Sequence, residues 1–64
     1  MAKLCSVVVT GNSVSVMDSL AKRFVFTTMV DENMIDKVKD FLVRMDYCPD
    51  EVSRRMFSWL RKGD

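Results

Sequence analysis

A chain of 64 residues holds one small domain and not two, and at this size folding buries only about 60% of the unfolded surface. Hydrophobic residues make up 48%, charged residues 30%, and the formal net charge is +1, a balance that excludes disorder and a strong overall field for nucleic acid. Histidine is absent and Cys5 and Cys48 are the two cysteines, which removes Ser-His-Asp and Cys-His catalysis and a four-ligand zinc site.

Residues 3–10, centred on Val7-Val8-Val9, read as a strand that ends at the turn signal Thr10-Gly11-Asn12-Ser13. Residues 14–21 carry two signals. Val14-Ser15-Val16 alternates like a strand, whereas Ser15 with Asp18 three residues on could open a helical turn. We favour the hairpin. Phe24 to Val30 is β-branched and aromatic and flanked by charge on both sides, so it reads as a further strand. Neither of its faces is fully polar.

Met34, Ile35, Val38, Phe41, Leu42 and Met45 form one apolar stripe at helical spacing, which predicts a helix over about 32–45. Asp31 stands at the expected N-cap, Glu32 in the first turn, and Asp40 with Arg44 at i,i+4. Asp46-Tyr47-Cys48 reads as a short connection. Pro49 then suits the first position of a second helix over about 49–62, with Val52, Met56, Trp59 and Leu60 on its stripe. The expected fold is α+β in the order β-β-β-α-α: one domain, 1–64, made of an N-terminal hairpin or arm (1–21) and a strand-helix-helix unit (22–62).

The charge-free runs Leu4–Met17 and Phe24–Val30 fall short of the roughly 20 apolar residues of a membrane span, and Lys3 precedes too brief an apolar stretch for a secretory signal. We therefore expect a cytoplasmic protein that does not engage a membrane. In a reducing compartment Cys5 and Cys48 read as small buried hydrophobes rather than a disulfide. A core this small seldom supplies more than about 3–5 kcal/mol without a staple or a second subunit. With no metal, cofactor or disulfide expected, a homodimer is the favoured remedy.

Charge is uneven along the chain. Residues 22–30 carry Lys22 and Arg23 and no acid, and Arg54, Arg55, Arg61 and Lys62 cluster without an acid between them. Those four could line a phosphate track or form a solvated helix face that complements the helix dipole. Trp59 reads as a core or dimer-interface residue, and the scattered methionines as gap-fillers.

From Lys22 to Leu60 the chain resembles the ribbon-helix-helix family of dimeric DNA-binding regulators. The resemblance rests on Val30-Asp31-Glu32-x-Met34-Ile35 where the strand meets the first helix, and on Tyr47-Cys48-Pro49-Asp50-Glu51-Val52-x-Arg54 at the start of the second. It implies a homodimer whose two copies of the 24–30 strand pair antiparallel and enter the DNA major groove. Lys22, Arg23, Val25, Thr27, Met29, Arg54 and Arg55 would then face DNA. Phe24, Phe26, Val30, Val52, Met56, Trp59 and Leu60 would form the dimer interface.

The functional expectation is therefore a small repressor-like transcription regulator. Val25 and Met29 cannot tell hydrogen-bond donors from acceptors on base edges, and Asp50 stands where a Ser or Thr is usual in that family. These residues suit the alternative expectation, a non-enzymatic protein-binding module such as a small inhibitor or adaptor of a host protein. The two expectations divide on whether the 24–30 strand pairs with its own copy or with residues 3–10 of the same chain.

Overall fold

The computed structural model describes residues 2–63, and the side chains of residues 2–60. The elements are β1 (Lys3–Thr10), β2 (Ser13–Asp18), β3 (Arg23–Met29), α1 (Met34–Arg44), β4 (Tyr47–Pro49), α2 (Glu51–Met56) and a 3₁₀ segment, Ser58–Gly63. The fold is α+β: a four-stranded sheet in the order β3-β2-β1-β4 with two helices.

Gly11 and Asn12 close the first hairpin, with Thr10 opposite Ser13 and Val7 opposite Val16. Gly11 has φ +59°, a conformation that costs little without a Cβ and that a two-residue hairpin turn needs at its first central position. The strand reading of residues 14–21 therefore holds through Asp18. Strand β3 then folds back antiparallel on β2, with Phe26 opposite Val16 and Thr28 opposite Val14. A bulge between Val16 and Met17 leaves Val25 as the extra residue and brings Phe24 opposite Met17.

Alternation along β1 and β2 sends Cys5, Val7, Val14 and Val16 to one face, where they meet Val38 and Leu42 of α1 and Leu60 of the 3₁₀ segment. Phe26 stacks on Phe41 at 4.6 Å between ring centroids, and Phe41 on Tyr47 at 5.7 Å. No described side chain larger than valine is fully buried, so the core is thin, as the chain length requires.

Several expectations need correction. The order is β-β-β-α-β-α, because Tyr47–Pro49 is a strand parallel to β1 and not a connection, with Leu4 opposite Cys48 and Cys5 opposite Pro49. The second helix is not continuous over 49–62. It runs from Glu51 to Met56, breaks at Phe57 and resumes as 3₁₀. That break changes which side chains are covered: Ser53 and Leu60 are buried, while Val52 and Met56 are 63% and 70% exposed.

The 24–30 strand does not pair with residues 3–10; its neighbour within the chain is β2. This places three strands of one chain side by side where the ribbon reading has a lone strand. Helix α1 starts at Met34, the first residue of its apolar stripe and two residues after the expected start at about 32. Asp31 does not cap it; its carboxylate accepts the Asn33 N–H within the preceding turn.

Candidate interaction surface

The two edges of the sheet are built differently. Along the outer edge of β1, Lys3 N–H donates to the Asp46 carbonyl at 2.9 Å and Asp50 N–H to the Cys5 carbonyl at 2.8 Å. Beyond the end of β4 a side chain takes over: Val7 N–H donates to Ser53 Oγ at 2.8 Å. Asp50 holds Ser53 in place. It caps α2 by accepting the Ser53 N–H at 2.8 Å on one oxygen, and it accepts the Ser6 hydroxyl at 2.6 Å on the other.

Burial alone would raise the Asp50 carboxyl, but the hydrogen bonds from Ser6 and Ser53 and the nearby Arg54 charge outweigh it and hold the group below the ordinary carboxylate range. At the other end of β1, Tyr47 Oη donates to Asp18 at 2.8 Å and Lys3 Nζ lies 4.7 Å from the Tyr47 ring centroid. The Ala21 N–H, followed by Tyr47 and then the Leu20 N–H, lowers the Asp18 carboxyl. The same bond raises the Tyr47 phenol.

Strand β3 forms the other edge of the sheet. Val30 N–H donates to the Asn12 carbonyl at 2.7 Å, and alternation from that bond turns the backbone groups of Phe26 and Thr28 toward β2 and those of Thr27 and Met29 outward. Among the described residues, Thr27 and Met29 make no further backbone hydrogen bond on that side. The Thr27 hydroxyl meets Ser15 Oγ at 3.1 Å on the sheet face away from the helices.

Large apolar side chains crowd this edge and face: Phe24 and Met29 are 62% and 61% exposed, and Leu4, Val25 and Val30 are exposed as well. The charged flanks of β3, Lys22 and Arg23 before it and Asp31 and Glu32 after it, enter no ion pair among the described residues.

The residues expected to face DNA are not brought together within one chain. Lys22, Arg23, Val25, Thr27 and Met29 lie on or beside β3, whereas Arg54 and Arg55 lie on α2, which packs on β1 two strands away. Arg55 is engaged by Glu51 at 2.8 Å. The side chains of Arg61 and Lys62 lie outside the described residues.

Of the residues expected at a dimer interface, Phe24 and Val30 are exposed beside the free edge, and Val52 and Met56 are exposed on α2. Phe26 is half-buried against Phe41, Leu60 belongs to the core, and Trp59 packs beside Phe57 at 5.7 Å between ring centroids. Sequence reasoning missed Ser6 and Ser53. The signal for the second was Asp50 standing three residues before it, an N-cap pattern masked by the assignment of Pro49 to the helix.

A shallow pocket of about 210 Å³ between α1 and β4, lined by Leu42, Tyr47, Cys48, Pro49 and Leu60, is smaller than the roughly 300–1,000 Å³ of a typical small-molecule site. Cys5 and Cys48 are free thiols, and burial, with the Asp50 charge second, pushes the Cys5 thiol from its ordinary 9.0 up to about 12. Such a thiol is inert as a nucleophile. Compared with known proteins, the chain matches no protein family, no curated protein and no solved structure.

Proposed function

We propose that this protein is a non-enzymatic interaction module that engages protein through β3 and the sheet face away from the helices. The observation that carries the reading is the outer edge of β3: backbone groups at Thr27 and Met29 with no partner among the described residues, set among exposed apolar side chains. An unprotected apolar edge invites pairing with another strand. The thin core and the absence of His support a binding role over catalysis.

A second reading, the ribbon-helix-helix-like DNA-binding regulator of the repressor kind, draws on the exposed Lys22 and Arg23 at the same edge. A major groove about 12 Å wide admits a two-stranded ribbon, and here β2 and β1 continue the sheet beside each β3. The protein-binding reading fits that geometry better.

Capture from nuclease-treated lysate with the native chain and with Met29→Glu separates the two. A protein retained by the native chain and lost with the variant supports the module. Salt-sensitive retention on random duplex DNA by micromolar protein at about 50 mM salt, where non-specific binding shows, supports the regulator and overturns the module.

A further inference from the structure

We infer that the turn between β2 and β3 docks the chain on an anionic lipid surface, with Leu20 inserted at the acyl boundary and Lys3, Lys22 and Arg23 meeting the anionic headgroups. The inference goes beyond the proposed function, since it concerns one end of the sheet and a lipid, not the open edge of β3 and a protein. The expectation of no membrane contact rested on the lack of a spanning segment. Among the described residues no helix is long and apolar enough to cross a membrane, and a peripheral contact needs none.

Leu20 is 94% exposed, more than any other large apolar side chain among the described residues, and its backbone is held in place. Asp18 accepts the Leu20 and Ala21 N–H groups on one oxygen, each at 2.9 Å, and the Tyr47 hydroxyl on the other at 2.8 Å. Ser19 N–H donates to the Leu4 carbonyl at 3.1 Å and Lys22 N–H to the Asp18 carbonyl at 2.8 Å. A turn bonded at each of these steps presents its leucine to water in one position, so little ordering remains to be done on docking. Lys22 adopts φ +59°, where Gly or Asn sits with less strain. A lysine there keeps a charge beside the tip at some conformational cost.

The bases stand to either side of that leucine. Lys3 opens β1 and Arg23 opens β3, flanking the Asp18 end of β2, so they lie two strand spacings, about 10 Å, apart. Lys3, Lys22 and Arg23 are exposed and enter no ion pair among the described residues. Of the acids at this end, Asp18 is occupied by its three donors, and Asp46 lies beyond β1 at the start of β4. Asp31 and Glu32 stand at the opposite end of the sheet, near the Gly11-Asn12 turn, so an anionic surface meets the basic end first. A convex tip with bases spread to both sides encloses no ligand. It fits a deformable surface into which an apolar side chain sinks by about 5–10 Å. One buried leucine and three bases beside an anionic leaflet raise the partition by on the order of a thousandfold over a neutral polar surface, which gives reversible binding.

Co-sedimentation with vesicles tests it. The native chain should sediment with phosphatidylserine-containing phosphatidylcholine vesicles at roughly millimolar lipid and much less with pure phosphatidylcholine. Leu20→Ser should weaken binding about tenfold or more and Lys22→Gln about fivefold, with far-UV dichroism checking that each is folded. Met29→Glu, at the far end of β3 opposite Ser13, should leave it unchanged, so this inference and the proposed function fail separately. In a Cys48→Ser background, a nitrobenzoxadiazole label on Leu20→Cys should brighten with anionic vesicles, and one on Asn12→Cys, in the opposite turn, should not. A native chain that does not sediment, Leu20→Ser binding as well as native, or equal brightening at both positions overturns the inference. Capture of a protein that depends on Leu20, without vesicle binding, assigns the tip to a protein pocket and overturns it as well.

Discussion

One edge of this sheet is sealed and the other is bare, and the contrast separates what holds the chain together from what it offers to others. At the sealed edge three residues of β4 and one side chain from α2 satisfy β1, and Asp50 ties the arrangement to Ser6 and Ser53. The bare edge has a strand of similar length, apolar side chains and no cover. A buried donor left unpaired costs about 1–3 kcal/mol, a large share of what so small a core supplies. Edge groups left to water cost little. Stability should therefore respond to changes at Asp50 and Ser53, and association to changes at Thr27 and Met29.

Proline tests the bare edge most severely, because adjacent residues of β3 point their N–H groups in opposite directions. Thr28→Pro removes a donor facing β2 and should cost about 3 kcal/mol or more, most of what so small a core supplies. Thr27→Pro removes an N–H that faces outward, and proline is tolerated on such an edge, so its cost should be about 1 kcal/mol or less. Urea midpoints measure both. Similar losses in the two variants would mean that both N–H groups are needed inside the chain.

At the sealed edge Ser53→Ala strands the Val7 N–H without its acceptor in a buried site and should lower stability by about 1–3 kcal/mol. Association should be unchanged. Cysteine substitution there would be a poorer probe, since a thiol accepts weakly.

The sealed edge should also set the response to pH. The Asp50 and Asp18 carboxyls lie below their ordinary value of 3.8 in the folded chain, so the stability they give is present above that value and is lost as pH falls through their folded values. Cys5 and Tyr47 are raised from 9.0 and 10.0, so their contribution is full below about 9 and is lost as pH rises toward 12. Urea midpoints should form a plateau from about pH 5 to 8 with a fall on either side. Asp50→Asn should flatten the acid limb and Cys5→Ala the alkaline one.

Much of this architecture is legible in the residues, and the losses have physical causes. The valine run before Gly11, the alternation of Val14 and Val16, and the stripe from Met34 to Leu42 are local patterns, and β1, β2 and α1 lie close to where they point. Strand β4 has three residues and is defined by Leu4 and Cys48 meeting across 44 positions of chain, which no local period encodes. Pro49 then favoured a helical reading of a residue that ends a strand, where its missing N–H is equally harmless. The stripe of Val52, Met56, Trp59 and Leu60 assumed an unbroken helix. The turn at Phe57 and the pull of Val7 on Ser53 rotate α2 so that its apolar side faces out. In β3 the apolar character on both faces was visible from the start, but its inner neighbour was not.

The smallest expected effect concerns arginines that differ only in their surroundings. Arg55 reaches Glu51 at 2.8 Å and Arg44 reaches Asp40 at 2.7 Å, each pair about two-thirds or more exposed. Solvent screening holds such i,i+4 pairs to about 0.3–0.5 kcal/mol, so Arg55→Ala and Arg44→Ala should barely move the urea midpoint and should leave association alone. Arg23→Ala removes a guanidinium with no ion-pair partner among the described residues, and it too should leave the midpoint in place. Its effect should instead fall on capture of a protein through the β3 edge, growing as salt is lowered and fading in high salt as the Arg23 charge is screened. Three arginines of equal charge and similar exposure would then divide by the edge on which they stand, because only one of them faces a surface the chain leaves open.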